Sequence, residues 1–365
     1  MAAGPRRAAV IGTGLIGGSI GLGLRQRGWH VTGDDLDRRR AERARQLGAL
    51  DEIGRDLAAE VVFVATPAGA VVSTASELLA ERSRSVAVTD VAGVKSPIVG
   101  ALTDPRFVGG HPMAGSEQEG VEGADGSLFE GATWVLTPTE RTDPAAYSRV
   151  LGVVSLLGAD AVAMPAARHD DLVAVVSHVP HLTAAALMTM AADAAEQEST
   201  LLRLAAGGFR DMTRIAAGHP GIWPDLCLDN RVAITETLDR LLGAVGELRA
   251  MVAAGDRKAI LAVLERARDA RRNLPSRVLH PDEMVEIRVP VLDRPGVLAE
   301  VTTLLGERSV NIYDLEIAHS AEGPRGVLVL AVAADDTDGA AVALSERGYR
   351  PTTGSLGSVT EGTRE

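Results

Sequence analysis

A glycine-rich segment near the start of the chain has residue types and spacing suited to binding a dinucleotide. Gly12, Gly14 and Gly17 form the pattern Gly-x-Gly-x-x-Gly, with Leu15 and Ile16 between the second and third glycines. The first glycine permits a tight turn, the second lets the backbone approach a pyrophosphate, and the third allows close packing of helix on strand. The helix that begins here would bind the phosphates with its free amides and the positive end of its dipole. This pattern predicts a nicotinamide cofactor and hydride transfer.

Two carboxylates at the end of the second predicted strand bear on the choice of cofactor. Asp34 and Asp35 follow the glycine segment by roughly 20 residues, where a carboxylate accepts from the ribose hydroxyls of NAD and repels the extra phosphate of NADP. Arg38, Arg39 and Arg40 follow closely and could pair with that phosphate. The sequence therefore favours NAD. A simple strand-to-helix turn beside solvated arginines is the alternative interpretation.

Polar residues also follow three later strands of the predicted sheet. Thr66 and Pro67 follow one strand, Asp90 ends the next, and His111 lies in a glycine-rich segment after a third. Ligands of wound α/β sheets bind beyond the carboxyl ends of the strands. We therefore expect Thr66, Pro67 and Asp90 to contact the cofactor and His111 to lie beside the nicotinamide. Taken alone, His111 is as often an ordinary loop residue.

A later, helical part of the chain concentrates cationic and hydrogen-bonding side chains in apolar sequence. His178 and His181 lie close together, and Arg214 precedes Trp223 by nine residues. A buried arginine is costly unless it is paired, so Arg214 calls for an anion, which Asp211 one turn earlier could also supply. The two histidines lack a third ligand at metal-site spacing, so no metal site is predicted.

Alternating short strands and helices must position the glycine segment and the polar residues at the strand ends. They predict a Rossmann domain over residues 1–166, built on a parallel sheet wound with helices. The predicted strands are residues 8–11, 30–33, 61–65, 85–90 and 107–109, with an edge strand at 132–136.

The pattern changes after the Rossmann domain. Long helical segments predict an all-α domain over 167–275, followed by a proline-containing linker at 276–283. Residues 284–353 have the order β-α-β-β-α of a small ferredoxin-like α+β unit that lacks only an evident last strand near 349–352. Residues 354–365 are predicted to be a disordered tail.

Composition excludes several classes of partner. The 365 residues carry a net charge of −12, which disfavours binding to nucleic acid or anionic lipid. One cysteine, Cys227, excludes an internal disulfide framework. The longest uncharged apolar run, Ala8–Leu24, is shorter than the roughly 20 residues of a membrane helix. No signal peptide is recognised, and we expect a cytoplasmic protein.

An ordered set of motifs spanning most of the chain is similar to the prephenate dehydrogenase family of tyrosine biosynthesis. The resemblance implies NAD-dependent oxidative decarboxylation of prephenate to 4-hydroxyphenylpyruvate, and a homodimer formed by the helical domain. His111 would take the proton of the ring hydroxyl, and Arg214 would pair with a substrate carboxylate. The motifs are Gly-Leu-Ile-Gly-Gly-Ser at 14–19, Thr66-Pro67, Thr89-Asp90 with Lys95, Gly-Gly-His-Pro-Met-Ala-Gly-Ser-Glu at 109–117, Ser-His-x-Pro-His at 177–181, and Gly-Phe-Arg-Asp-x-Thr-Arg-Ile-Ala at 208–216 with Trp223.

The same resemblance places His181, Trp223 and Ser116 around the substrate. One position departs from the family, because Gly93 stands where many relatives have a serine near the catalytic histidine. Ser96 or Ser116 could supply that hydroxyl. Arogenate remains an alternative substrate, and a catalytically weak nucleotide and amino-acid sensor remains an alternative function.

A generic β-hydroxyacid dehydrogenase also fits the glycine motif and the helical domain. It would require a catalytic lysine on the helical domain, and the chain has none between Lys95 and Lys258. This alternative is therefore disfavoured.

The C-terminal unit resembles the ACT domain, an amino-acid-sensing module. In that family the loop around Pro295 and Gly296 and the segment around Asn311 and Ile312 line a ligand site between two domains. The resemblance implies tyrosine, the pathway product, as a candidate effector. A module that only dimerises is the alternative.

Overall fold

The computed structural model describes residues 5–82, 85–115, 118, 120–198, 200–218, 220–272, 284–292, 294–308, 310–319 and 325–355. The chain divides into two compact units, residues 1–247 and 248–365. Ser116, expected in the substrate site, and the predicted linker at 276–283 lie outside the described residues.

The first unit is built on an eight-stranded sheet with the order β3-β2-β1-β4-β5-β6-β7-β8. All neighbouring strands are parallel except β6 and β7, which are antiparallel. The elements are β1 Arg7–Ile11, α1 Leu15–Gln26, β2 His30–Asp34, α2 Arg38–Gln46, β3 Glu52–Ile53, β4 Val61–Val64, α3 Ala68–Glu81, β5 Ala87–Asp90, α4 Ser96–Ala101, β6 Phe107–Pro112, β7 Thr133–Thr137, α5 Pro144–Leu156 and β8 Asp160–Ala163.

The order of the first six strands is that of a dinucleotide-binding Rossmann sheet. The strands are added in one direction from β1 to β3 and in the other from β4 onwards, so a crevice opens at the carboxyl ends of β1 and β4. The central strands are buried on both faces and separate two hydrophobic clusters. These buried strands explain why runs such as Val61–Val64 contain only apolar residues.

Two short strands extend the sheet beyond the prediction. The segment at 132–136, predicted as an edge strand, corresponds to β7, which is covered by β8 and is therefore not the edge. Strands β3 and β8 contain two and four residues. Such short segments carry too little alternation to be recognised by period.

A helical region follows the sheet, and the first unit ends within the last helix of this region. Its helices are α6 Ala166–Val173, α7 Val179–Gln197, α8 Gly207–Thr213, α9 Trp223–Asp229 and α10 Arg231–Ala254. A π-helical turn, Ala174–His178, joins α6 to α7. Pro180 lacks a backbone N–H group, and its ring clashes with the preceding turn of a regular helix. The wider π turn removes that conflict. The helical stretch is therefore interrupted before Pro180 by a π turn that bears His178.

The helical region exposes many large apolar side chains. Among the described residues, Ala166–Glu196 is the one continuous helical stretch long and apolar enough to cross a membrane, and 28% of its most apolar window is buried. The exposed side chains include Val175, Val176, Met190, Leu204, Met212, Ile222, Leu228 and Val232. An apolar surface of this extent on one region indicates a partner surface.

The second unit contains α11 and a four-stranded antiparallel sheet with the order β10-β11-β9-β12. This is the ferredoxin-like arrangement that the sequence predicts. The last strand is β12, so the expected tail beginning at 354 is wrong for Gly354 and Ser355. The elements are α11 Arg257–Arg272, β9 Met284–Leu292, α12 Val297–Glu307, β10 Ile312–His319, β11 Arg325–Ala333, α13 Thr337–Glu346 and β12 Thr352–Ser355.

Candidate active site

The glycine segment joins β1 to α1 at the crevice between β1 and β4. Gly12 has a φ of +96°, and a Cβ atom there would lie 2.4 Å from the carbonyl oxygen of Ala65. A Cβ atom on Gly17 would lie 1.9 Å from the carbonyl oxygen of Gly12. Around Gly14, by contrast, a Cβ atom would meet no described atom within 4 Å. The first and third glycines are thus required by packing, and the second borders open space.

Two features of this crevice fit a dinucleotide. Helix α1 begins after Gly14 without a side-chain cap, so Leu15 and Ile16 lie in a first turn whose amides can bind phosphate. At the end of β4, the buried Oγ1 atom of Thr66 has no hydrogen-bond partner in the described part of the chain. Pro67 follows as the residue that precedes α3. An unsatisfied hydroxyl at a strand end is a group that a bound cofactor can satisfy.

Asp34 and Asp35 are both engaged by neighbouring protein groups. Asp35 accepts from the backbone amide of Thr13 at 2.8 Å and from its hydroxyl at 3.0 Å. Asp34, the last residue of β2, pairs with Arg55 at 3.3 Å. Asp35 thereby connects the end of β2 to the glycine segment. If these carboxylates bind the ribose as predicted, they must do so while they also bind Thr13 and Arg55.

Asp90 has a structural role that the sequence did not predict. It is completely buried, and its carboxylate accepts from the amides of Ala92 and Gly110 at 3.0 and 3.1 Å. It also pairs with the Nζ atom of Lys95, which is completely buried too. Burial lowers the pKa of Lys95, although the Asp90 carboxylate opposes that shift. With both oxygens engaged inside the protein, Asp90 is not placed to bind a cofactor, and that expectation was wrong.

His111 lies on β6 and follows Gly110, whose backbone binds both Asp90 and Lys95. The Nζ atom of Lys95 donates to the carbonyl oxygen of Gly110 at 2.8 Å. A Cβ atom on Gly110 would lie 2.7 Å from the carbonyl oxygen of Asp90, so only glycine fits here. Burial lowers the pKa of His111 well below its usual value, and His169 and Lys95 lower it further. The imidazole is therefore neutral near neutral pH and can accept a proton.

A histidine on α6, His169, contacts His111, and the adjacent Asp170 contacts His169; neither residue was predicted from the sequence. The Nδ1 atom of His111 lies 2.8 Å from the Nε2 atom of His169. The Nδ1 atom of His169 lies 2.8 Å from the carboxylate of Asp170, which also accepts from the amides of Lys95 and Ser96. Both are buried. The adjacent His169 and Asp170, at the start of the helical domain, were the available signal.

Position 93, where many relatives have a serine, lies close to the Nε2 atom of His111. A Cβ atom on Gly93 would lie 3.8 Å from the Nε2 atom of His111 and 3.6 Å from Leu226. The side chain of Ser96 instead hydrogen-bonds to Asp170. Ser96 therefore does not replace the serine that relatives have at position 93.

Helices α7 and α9 bring a second group of predicted residues together. The rings of His181 and Trp223 stack with centroids 3.6 Å apart, and His178 meets Trp223 edge-on at 6.3 Å. Asn230 donates to the carbonyl oxygen of Asp170 at 2.9 Å and lies 3.2 Å from the Nδ1 atom of His178. Burial lowers the pKa of His178 to about 4 and also lowers the pKa of His181. Neutral, partly apolar rings thus line this part of the unit.

Arg214 follows α8 directly and is exposed. Arg214 begins a short turn, Arg214–Ala217, and Gly218 at the end of that turn approaches His181. A Cβ atom on Gly218 would lie 3.8 Å from the Cε1 atom of His181. An exposed guanidinium can bind a carboxylate from solvent.

The predicted regulatory residues occupy opposite ends of the second unit's sheet. Gly296 precedes α12 with a φ of +90°, and Pro295 is exposed beside it, just after the end of β9. Ile312 pairs with Val332, which in turn pairs with Val285 at the start of β9. The exposed Asn311 is therefore near the start of β9, and one copy of the unit does not bring it to Gly296.

Comparison with known proteins identifies three matching regions. Residues 20–163 match the family described as prephenate dehydrogenase, nucleotide-binding domain. Residues 165–266 match prephenate dehydrogenase, dimerization domain, and residues 285–347 match the ACT domain. The prephenate dehydrogenase of Bacillus subtilis is 32% identical over 339 residues, which are 89% of this chain and 91% of that protein.

Solved structures give the same result. The prephenate dehydrogenase from A. aeolicus in complex with hydroxyphenyl propionate and NAD+ is 29% identical, with a TM-score of 0.70, over 74% of this chain and 99% of that one. Synechocystis arogenate dehydrogenase is 31% identical, with a TM-score of 0.65, over 73% of this chain and 98% of that one. The resemblance noted from the motifs is confirmed: the chain belongs to the prephenate dehydrogenase family, with a nucleotide-binding domain, a helical dimerisation domain and an ACT domain.

Proposed function

We propose that the chain catalyses the NAD-dependent oxidative decarboxylation of prephenate to 4-hydroxyphenylpyruvate and CO2. The observation that carries this proposal is the neutral, hydrogen-bonded imidazole of His111 in a family member whose glycine segment retains open space at Gly14. A neutral imidazole is suited to remove a proton from a ring hydroxyl.

In the proposed reaction, the Nε2 atom of His111 accepts the proton of the ring hydroxyl at C4. NAD, when bound, supplies the acceptor for the hydride that leaves the same carbon. The C4 oxygen then forms a carbonyl group, and the bond between C1 and its carboxylate breaks to release CO2. The electrons of that bond complete the aromatic ring, and the resulting phenolate recovers the proton from His111. Atoms and charges balance without any further reactant.

The cofactor would be held by residues around the crevice. The amides of Gly14, Leu15 and Ile16 would bind the pyrophosphate, and Thr66 and Pro67 would border the nicotinamide. Asp35 and Asp34 would face the adenosine ribose, where carboxylates disfavour NADP. The steric demands at Gly12 and Gly17 support this assignment, because both keep the turn close to β4.

The substrate would lie between His111 and the helical region. Prephenate is a dianion, and Arg214 is proposed to pair with one carboxylate. The stacked rings of His181 and Trp223 would enclose the apolar face of the substrate ring. Ser116 is also proposed to contact the substrate.

Arogenate is the second candidate substrate. The similarity to Synechocystis arogenate dehydrogenase supports it, because that structure matches this chain about as well as the A. aeolicus enzyme does. Rates of NADH or NADPH formation with each of the two substrates and two cofactors would test the choice. We expect prephenate with NAD to give the highest kcat/KM. Faster turnover of arogenate would reverse the assignment, and turnover in no combination would support a sensor without enzymatic function.

We further propose that the chain is a cytoplasmic homodimer. An apolar cavity of about 580 Å³ opens among α7, α8 and α10, lined by residues that include Val175, Val179, Leu187, Met212 and Leu241. Helices of a second copy, rather than lipid, would cover it, as the match to a dimerization domain supports. Sedimentation velocity would show a dimer, whereas a stable monomer would contradict this arrangement.

Tyrosine is proposed as the effector of the ACT domain. Because Gly296 and Asn311 lie at opposite ends of one sheet, a site using both must form between two copies. Saturating tyrosine should therefore change the rate or the melting temperature of the full chain. If tyrosine changes neither, the module has no role in sensing tyrosine.

A further inference from the structure

His111, His169 and Asp170 form a buried relay of two imidazoles and one carboxylate. The two distances between ring nitrogens and acceptor atoms along the relay are both 2.8 Å. The side chain of His169 is 1% exposed, so water does not compete for these bonds. Its far end is fixed, because Asp170 accepts from the amides of Lys95 and Ser96 at 2.8 and 2.7 Å.

The direction of the hydrogen bonds follows from the state of Asp170. Burial disfavours its charged form, but hydrogen bonds from His169 and from Ser96 and Lys95 outweigh burial and hold the pKa of this carboxyl below its usual value. An ionised carboxylate only accepts, so the Nδ1 atom of His169 donates. A neutral imidazole has a single N–H group, so the Nε2 atom of His169 must accept.

The same reasoning extends to His111. Because the Nε2 atom of His169 accepts, the Nδ1 atom of His111 donates to it, and the lone pair of His111 lies on Nε2. This is the atom that lies 3.8 Å from a Cβ position on Gly93. In the opposite tautomer, Nε2 would carry a hydrogen and could not accept a proton.

We propose that His169 and Asp170 are positioning residues that fix His111 in the tautomer with a free Nε2 lone pair. They would thereby orient His111 in a chain that has Gly93 in place of the serine of many relatives. This inference rests on the proposed function of His111. Lys95 connects the relay to β6, because its backbone amide donates to Asp170 and its Nζ atom donates to the carbonyl oxygen of Gly110. The ring of His111 and the strand that bears it are therefore held by the same residue.

The tautomer can be measured without any substrate. Two-bond proton–nitrogen correlation spectra of the full chain labelled with nitrogen-15 in histidine distinguish Nδ1–H from Nε2–H rings, and His111→Asn assigns the signal. We expect His111 to carry its hydrogen on Nδ1. A hydrogen on Nε2 in the resting protein would overturn the inference, whatever the enzyme does.

Kinetics of Asp170→Asn test the consequence. The variant should lower kcat by about 10²-fold or more, since a positioned base contributes that much, and leave the Kd of NAD unchanged. Asp171→Asn is the matched control, because Asp171 is the exposed neighbour on the same helix and its variant should retain kcat. Unchanged kcat in Asp170→Asn would exclude the positioning role.

The pH profile separates positioning from a general loss of structure. The charged and titratable groups that face His111 are His169, His178, Lys95 and Asp170, and of these Asp170 favours the protonated ring. Asp170→Asn should therefore move the acid limb of kcat/KM to lower pH. An unmoved limb with an altered melting temperature would indicate a purely structural effect.

Variants of His169 provide a rescue test. His169→Gln keeps an oxygen that can accept from His111, whereas His169→Leu does not, so kcat should be higher in the glutamine variant. Equal rates would contradict the proposal. If the unmodified chain oxidises neither prephenate nor arogenate, the proposed function fails, and the tautomer measurement still decides this inference.

Discussion

The Nζ atom of Lys95 and the carboxylate of Asp90 form an ion pair in which both side chains are completely buried. The same Nζ atom donates to Gly110, and the same carboxylate accepts from the amide of Gly110. The pair thus binds both polar backbone groups of the residue that precedes His111. It secures the end of β5 to β6 and sets the position of the strand that bears His111.

Removal of one member of this pair should destabilise the first unit strongly. Lys95→Met leaves a buried carboxylate unpaired, and Asp90→Leu leaves a buried ammonium unpaired, so each should lower the free energy of unfolding by about 3–5 kcal/mol. The double variant should lose less than the sum of the two, since neither charge remains. Urea unfolding of the three variants measures these values. Additive losses would mean that the two charges do not interact.

Two glycines of the nucleotide segment, Gly14 and Gly17, should respond differently to alanine. Gly17→Ala places a Cβ atom against backbone and should lower the melting temperature and abolish NAD binding. Gly14→Ala meets no described atom within 4 Å, so the melting temperature should be unchanged, while NAD binding should weaken because the pyrophosphate approaches here.

Gly152→Ala is the matched control for Gly14→Ala. Gly152 lies within α5 and also has no described atom within 4 Å of a Cβ position. Its alanine variant should leave NAD affinity unchanged, as titration of protein fluorescence or calorimetry would measure. Equal NAD affinity in Gly14→Ala and Gly152→Ala would remove Gly14 from the cofactor site.

The fold followed from the sequence because its signals are local. The glycine turn, the apolar run Val61–Val64 and the β-α-β-β-α order each depend on neighbouring residues. The site was predicted less completely. Asp90 ends a strand, as a cofactor-binding residue often does. Its burial and its pairing with Lys95 are tertiary features that the local sequence does not show. His169 contacts His111 from 58 residues further along the chain, a contact that no local pattern reports.

The buried His178 should make stability depend on pH. Its pKa is about 4 in the folded chain, compared with about 6.5 for an exposed histidine. Above pH 6.5 both states are neutral; as the pH falls through this window, the unfolded state takes up the proton first. The free energy of unfolding should therefore fall by about 3 kcal/mol between these two pH values through His178.

His178→Gln isolates that contribution, because glutamine can still accept from Asn230 but does not titrate. Urea unfolding at several pH values should show a shallower loss of stability in the variant than in the unmodified chain. Parallel pH dependence in both proteins would show that His178 does not take up a proton on unfolding.

The acid limb of kcat/KM should lie below the usual range of histidine. Burial, His169 and Lys95 lower the pKa of His111, so the ring remains neutral and active at pH values where an exposed histidine of pKa about 6.5 is half protonated. Initial rates from pH 5 to about 9 measure the limb, since kcat/KM reports the free enzyme. An acid limb above pH 7 would contradict a neutral buried base.

The central claim is that His111 accepts the proton during oxidation. The most direct test is the rate of NADH formation from prephenate and NAD by the unmodified chain and by His111→Asn, with NAD binding measured in parallel. The proposed mechanism predicts NADH and 4-hydroxyphenylpyruvate in equal amounts, and a kcat lower by about 10²–10⁴-fold in the variant at similar NAD affinity. Equal turnover in the two proteins would contradict it.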